Sequence, residues 1–204
     1  MDPYNRPHHP LLLILSGASG VGKDTVAEAL INRYPESFYF VVTATTREPR
    51  VGEVNGKDYY FVSKDDFARM IDEDELLEWA IVYNDFKGVP KEHIREALAS
   101  GKDVIMRVDV QGAATIRKKV PNAISIFLTA ETEQTLIDRL YARQKDTEES
   151  IKLRVATARQ EMKRIDEFGY WVVNADNELD AAVDQIMAIL QAERQRVDRQ
   201  PIQL

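Results

Sequence analysis

The apolar run Leu11-Leu12-Leu13-Ile14-Leu15 leads directly into Gly17-Ala18-Ser19-Gly20-Val21-Gly22-Lys23-Asp24-Thr25, after which Val26, Ala27, Leu30 and Ile31 recur at helical spacing. A strand with no polar face belongs in the middle of a parallel sheet covered on both sides. A glycine-rich turn between strand and helix lets successive N–H groups point into one concavity, and the positive end of the helix dipole lies at the same spot. Lys23 adds a mobile cation that can reach the outer phosphates of a nucleoside triphosphate. Strand, loop and helix in this order form the context a phosphate-binding loop requires. One position departs from the usual loop: the residue after the lysine, ordinarily Ser or Thr in support of Mg²⁺, is Asp24, and the hydroxyl arrives one place later at Thr25.

The remaining chain alternates strand and helix signals. Strands are expected at 38–42, 58–62, 76–82, 104–108, 123–128 and 170–173, and helices at 24–34, 65–72, 91–100, 111–119 and 179–194. A charged helical stretch, 133–165, carries a break near 145–149. This alternation predicts an α/β fold of the phosphate-loop type, with a parallel sheet covered by helices on both faces. Residues 43–57 are polar, with Pro49, Gly52 and Gly56, and read as an excursion from that sheet; with 58–82 they suggest a small α+β insertion. Residues 1–10 read as a loose leader and 195–204 as a frayed tail.

Composition narrows the partners. With 204 residues, 44% of them apolar, the chain supports one sizeable core. Lys and Arg number 27 against 34 Asp and Glu, a net charge of −7 that argues against a nucleic acid or an anionic membrane as the main partner. No run is long enough for a membrane span. The chain has no cysteine, which excludes disulfides and thiolate metal sites and fits a reducing cytoplasm.

Two further constellations stand out. In Thr43-Ala44-Thr45-Thr46-Arg47-Glu48-Pro49-Arg50, two arginines three apart can close on one anionic group, with hydroxyls from Thr43 and Tyr59 beside them. On composition alone the same segment reads as a charged, solvated loop. In Leu77-Glu78-Trp79-Ala80 an acid interrupts an apolar strand. It either faces solvent or turns into a pocket, where it can accept two N–H bonds from a purine edge.

Taken together, the blocks resemble the guanylate kinase family over roughly residues 10–193. The resemblance is carried by the phosphate loop, Thr45-Thr46-Arg47-Glu48-Pro49-Arg50-Val51-Gly52-Glu53, Gly56-Lys57-Asp58-Tyr59-Tyr60-Phe61-Val62, Glu78-Trp79-Ala80, Asp109-Val110-Gln111-Gly112 and Val172-Val173-Asn174. It implies a domain at 11–193, with a core at 11–42, 91–131 and 166–193, an acceptor lobe at 43–90 and a lid at about 132–152; 194–204 would form the tail. It implies ATP on the loop, from Gly17 through Thr25, with Asn174 near the adenine. Mg²⁺ would be supported by Thr25 through water. GMP would be held by Thr43, Arg47, Arg50, Tyr59, Glu78, Lys87 and Asp109, with Glu78 reading the guanine N1 and N2 donors. Lys23, Arg139, Arg143 and Arg154 would supply the positive field for phosphoryl transfer.

Four positions depart from the family pattern. Asp24 follows the loop lysine. Lys87 stands where a phosphate-binding tyrosine is expected, Val89 where a hydroxyl usually meets guanine O6, and Arg107 replaces the first acid of an Asp-x-Asp pair. Arg107 either favours a more anionic acceptor or forms an ion pair with Asp24 or Asp109. The resemblance thus leaves two alternatives: a kinase of another phosphorylated acceptor, such as ribose 1,5-bisphosphate, and a non-catalytic binding domain of the same fold.

Overall fold

The computed structural model describes residues 9–82, 85–142 and 148–204. Most of the expected leader, residues 1–8, lies outside them. In chain order the elements are β1 (Leu12–Gly17), α1 (Lys23–Arg33), β2 (Phe38–Phe40), β3 (Ala44–Thr45), β4 (Tyr60–Phe61), α2 (Lys64–Asp72), β5 (Leu76–Val82), β6 (Asp85–Pro90) and α3 (Lys91–Ala99). They continue with β7 (Asp103–Arg107), α4 (Val110–Lys119), β8 (Ile124–Thr129), α5 (Glu133–Ala142), α6 (Glu148–Met162), β9 (Tyr170–Val173) and α7 (Leu179–Arg194).

The main sheet has the order β2-β7-β1-β8-β9, and every neighbouring pair is parallel. β1 is its centre, as the unbroken apolar run predicts. Side chains alternate across a strand, and the run serves two cores. Leu11, Leu13 and Leu15 join a cluster with Val26 and Leu30 of α1, Leu136 of α5, Ala158 of α6 and Ile186 of α7. Leu12 and Ile14 join a cluster with Ile94 of α3 and Ala113 and Ile116 of α4. α1 and α4 therefore lie on opposite faces of the sheet, although they follow the adjacent strands β1 and β7.

A second sheet, of order β4-β3-β6-β5, is built from residues 44–90. It has a small core of its own, Ala44, Phe67 and Leu76, while Leu77 and Val89 are buried in the cluster shared with α3 and α4. The lobe is thereby anchored to the main body through β5 and β6.

Two sequence expectations change. Residues 85–90, with Lys87, Gly88 and Pro90, carry little strand signal, yet β6 forms because it pairs with β5 on one side and β3 on the other. Residues 195–204 hold no regular element but do not fray: Ile202 and Leu204 pack on the α3–α4 cluster, and Arg199 donates to the buried Glu193 carboxylate at 2.5 Å and to the Asn122 carbonyl at 3.0 Å. A buried acid needs a cation, and only the tail supplies Arg199. Among the described residues no helix is long and apolar enough to cross a membrane.

Gly17 ends β1 at φ +140°, where an added Cβ would lie 2.2 Å from the Leu128 carbonyl oxygen of β8. Gly17→Ala is expected to cost more than about 3 kcal/mol, because backbone cannot give way. Gly101→Ala, at φ +82° with nothing within 4 Å, is expected to cost about 1 kcal/mol. Urea unfolding of both variants checks the contrast.

Candidate active site

Adjacent parallel strands whose following helices leave toward opposite faces open a crevice at their carboxyl ends. β1 and β7 are such a pair. The crevice here is a cleft of about 260 Å³ lined by Lys23, Asp24, Thr43, Tyr59, Glu78, Ala80, Lys87, Gly88, Val89, Arg107, Val108 and Asp109. The main body supplies Lys23, Asp24 and the β7–α4 turn; the lobe supplies the rest.

The loop itself is held from behind. Lys23 Nζ donates to the carbonyls of Gly17 at 2.7 Å and Ala18 at 3.0 Å. Burial lowers the Lys23 ammonium below its usual range, opposed by Glu161, Asp24 and Asp109. Asn174 Nδ2 donates to the Val21 carbonyl at 2.9 Å, and Gly22, at φ +88°, leaves the room for it: a Cβ there would sit 2.5 Å from that nitrogen. Arg139 donates to Asp176 at 2.5 Å, to the Asn174 carbonyl at 2.8 Å and to the Val21 carbonyl at 3.4 Å. Arg139 and Asn174, far apart in sequence, thus brace the same loop carbonyl, and Arg139 does not line the cleft. Arg154 lies on the inward face of α6 with Ile151 and Ala158, and Arg143 lies outside the described residues.

In the same cleft, Glu78 is 8% exposed and accepts no hydrogen bond from a described residue. It abuts the first turn of α4, where a Cβ on Gly112 would come within 2.6 Å of its Oε1. Asp109 caps that helix, its Oδ1 accepting from Gln111 N at 2.9 Å and Gly112 N at 2.8 Å. Burial first, and the Asp109 charge second, push the Glu78 carboxyl up to about 7. Lys119 opposes the shift, and a buried carboxyl that accepts no hydrogen bond has a strong demand for donors.

The two lobe arginines behave differently from each other. Arg47 forks onto Glu53 at 2.8 and 2.9 Å and lies over the Tyr59 ring, 5.2 Å from its centroid. This pairing, with the Arg50 backbone N–H second, holds Glu53 down to about 2. Arg50 is exposed, and neither arginine lines the cleft; Tyr59 and Lys87 do, with the Lys87 ammonium 5.2 Å from the same ring centroid. The two-arginine clamp is therefore not assembled on one point here, because Glu53 takes the Arg47 fork.

Two residues outside the expected set shape the site. Arg107 Nη1 meets Asp24 Oδ1 at 2.9 Å and lies over the Phe40 ring, so the expected ion pair forms with Asp24. Glu161 of α6 accepts from the Ser19 N–H at 3.0 Å. That contact joins residues so distant in sequence that local pattern gives no signal for it.

Residues 9–193 match the family model described as guanylate kinase. Guanylate kinase 2, chloroplastic/mitochondrial, of Oryza sativa subsp. japonica is 48% identical over 204 residues, all of this chain and 71% of that protein. The guanylate kinase of Caldanaerobacter subterraneus subsp. tengcongensis is 42% identical over 189 residues, 93% of this chain and 90% of that one. The crystal structure of guanylate kinase from Anaplasma phagocytophilum aligns with a TM-score of 0.75 at 28% identity, covering 95% of this chain and 91% of its own. A match that spans both the loop-bearing sheet and the inserted lobe, at these identities, means that the chain belongs to the guanylate kinase family.

Proposed function

We propose that this chain transfers the γ-phosphoryl group of ATP to GMP, giving ADP and GDP. The observation that carries the reading is the cleft shared by Lys23 and by a buried Glu78 that has no hydrogen-bond donor among the described residues. Guanine offers N1–H and N2–H side by side, which an ionised carboxylate accepts together; adenine lacks that donor pair and would leave the acid unpaired. Thr43, Tyr59 and Lys87 line the same cleft and receive the acceptor phosphate. Arg47 adds its charge through its seat on Tyr59, and Arg50 swings in from the surface. Val89 is buried in the shared core and offers no donor to the base.

No nucleophile needs activation, because the acceptor phosphate is already anionic. The work of the residues is to align two polyanions and offset the charge between them. Lys23 and Arg154 face the triphosphate, and Arg143 is assigned the same role. Arg139 and Asn174 keep the loop in shape and border the adenine side. Asp24 and Arg107 neutralise each other beside the point of transfer. Closure of lobe and lid excludes water.

Mg²⁺ in such reactions keeps several waters and takes phosphate oxygens with one or two protein oxygens. The absence of a cluster of three or more metal-ligating side chains among the described residues accords with that mode. The exposed Thr25 hydroxyl and the Asp109 carboxylate fit the ion, as hard oxygen donors beside the loop. They would hold it through water, and the bound ion would supply charge neutralisation. The absence of cysteine fits the cytoplasm as the working compartment.

A coupled assay with GMP, dGMP, AMP, UMP and ribose 1,5-bisphosphate tests the reading. Turnover of GMP and dGMP at least about 10³-fold above AMP is expected; no turnover of GMP, or preference for the sugar bisphosphate, would sink it.

The Glu78 carboxyl gives two pH dependences of opposite sign. Its folded-state value of about 7 is raised above the ordinary 4.5, so it stabilises the fold relative to high pH only while protonated. Without nucleotide, stability is expected to fall as pH rises from about 4.5 to about 7, by up to about 3 kcal/mol, and Glu78→Gln should flatten that slope. GMP needs the ionised form, so its affinity should rise about tenfold per pH unit up to about 7 and then level off. Denaturant melts and calorimetry across pH 5–8.5 read both.

Charge exchange at the transfer point should be strongly coupled. Arg107→Asp alone faces Asp24 with a like charge beside Lys23, and a loss in kcat/KM of about 30-fold or more is expected. Asp24→Ser in the same chain should recover most of it, and additive losses in the double variant would refute the pairing.

A further inference from the structure

We infer that Glu161 is a resident counter-charge of the phosphate loop, holding the Ser19 N–H that a polyphosphate needs, so that nucleotide binding displaces it together with the last turn of α6. The inference rests on the reading of residues 17–25 as the polyphosphate site. Its observations are separate from that reading. The Glu161 carboxylate accepts from Ser19 N at 3.0 Å, between residues 142 apart in the chain. Among the charged groups that act on Lys23, Glu161 exerts the largest attraction, ahead of Asp24 and Asp109. One carboxylate oxygen on a loop amide, next to the loop lysine, is the arrangement of a phosphate oxygen on the same donors.

The position of Glu161 on its helix gives the displacement a direction. α6 turns Ile151, Arg154, Val155, Ala158 and Glu161 toward the body of the protein, at the spacing of one helical face. Arg154 and Glu161 sit two turns apart on that face and carry opposite charges. A triphosphate on the loop repels Glu161 and attracts Arg154, so a single ligand acts on both with opposite force. Glu161 also sits at the carbonyl end of α6, where the helix dipole disfavours a carboxylate. It stays there because Ser19 N–H and Lys23 compensate, and a ligand that takes both removes the compensation. Glu161 is thus a positioning residue, not a group that reacts: it trades places with the ligand and passes that exchange to the helix carrying Arg154.

Binding of tripolyphosphate, which has no base or ribose, isolates the loop. Calorimetry with tripolyphosphate and with ATP on the full chain should show Glu161→Gln binding about tenfold tighter than wild type, because a charged competitor is lost. Glu161→Ala should bind at least as tightly as Glu161→Gln. A residue with a merely structural role would weaken binding when replaced, never tighten it. In the unaltered chain, tripolyphosphate should also speed hydrogen exchange in a peptide covering 158–164. Unchanged or weaker binding in both variants, or slower exchange in that peptide, overturns the inference. Lys23→Ala separates the two levels: if it binds tripolyphosphate as well as wild type does, the loop reading itself fails, whatever Glu161 does.

Discussion

The carboxyl ends of β1 and β7 are the constraint on which the site depends. Because α1 packs on one face of the sheet and α4 on the other, the two strand ends part and leave a crevice between two helix N-termini. The first helix begins with loop amides and Lys23; the second begins with Asp109 and Gly112, against which Glu78 is pressed. Each end of the cleft inherits its chemistry from one of these helix starts. On the proposed function, the loop amides take phosphate, and the buried Glu78, which accepts no hydrogen bond among the described residues, takes a paired donor.

Charges around the cleft are arranged mostly in pairs. Arg107 meets Asp24, Arg47 meets Glu53, and Arg139 meets Asp176. Glu161 meets a main-chain N–H. Glu78 stands apart, with neighbouring Asp109 of like sign and no donor among the described residues. The Asp24–Arg107 pair also accounts for two departures from the family pattern at once: a charge introduced after the loop lysine is matched by a charge of opposite sign on β7.

Much of this was legible in the sequence where the signal is local. The apolar run, the glycines and Lys23 lie within one short stretch, and strand, loop and helix followed as expected. α7 is bounded by its apolar spacing, and Gly101 ends α3 as the turn chemistry requires. The family itself was legible because five spaced blocks, in order after the phosphate loop, are specific. What escaped was tertiary. β6 has weak strand propensity and exists because partners flank it on both sides. The tail is ordered by Glu193 and the α3–α4 cluster, neither of which lies near it in sequence. Glu53 was visible as part of a motif, but its seat on the Arg47 fork was not. The Ser19–Glu161 contact leaves no local trace.

The central claim is that one cleft seats two nucleotides head to head, a purine triphosphate on the loop and guanine on Glu78. An adenosine and a guanosine joined 5′ to 5′ through five phosphates test it most directly, since only a site with both seats at the right spacing gains from the tether. The account predicts binding at one molecule per chain, at least about 10²-fold tighter than ATP or GMP alone, exclusion of both nucleotides, and large losses in Lys23→Ala and Glu78→Gln. Binding no tighter than ATP, or a complex that still admits GMP, would contradict it.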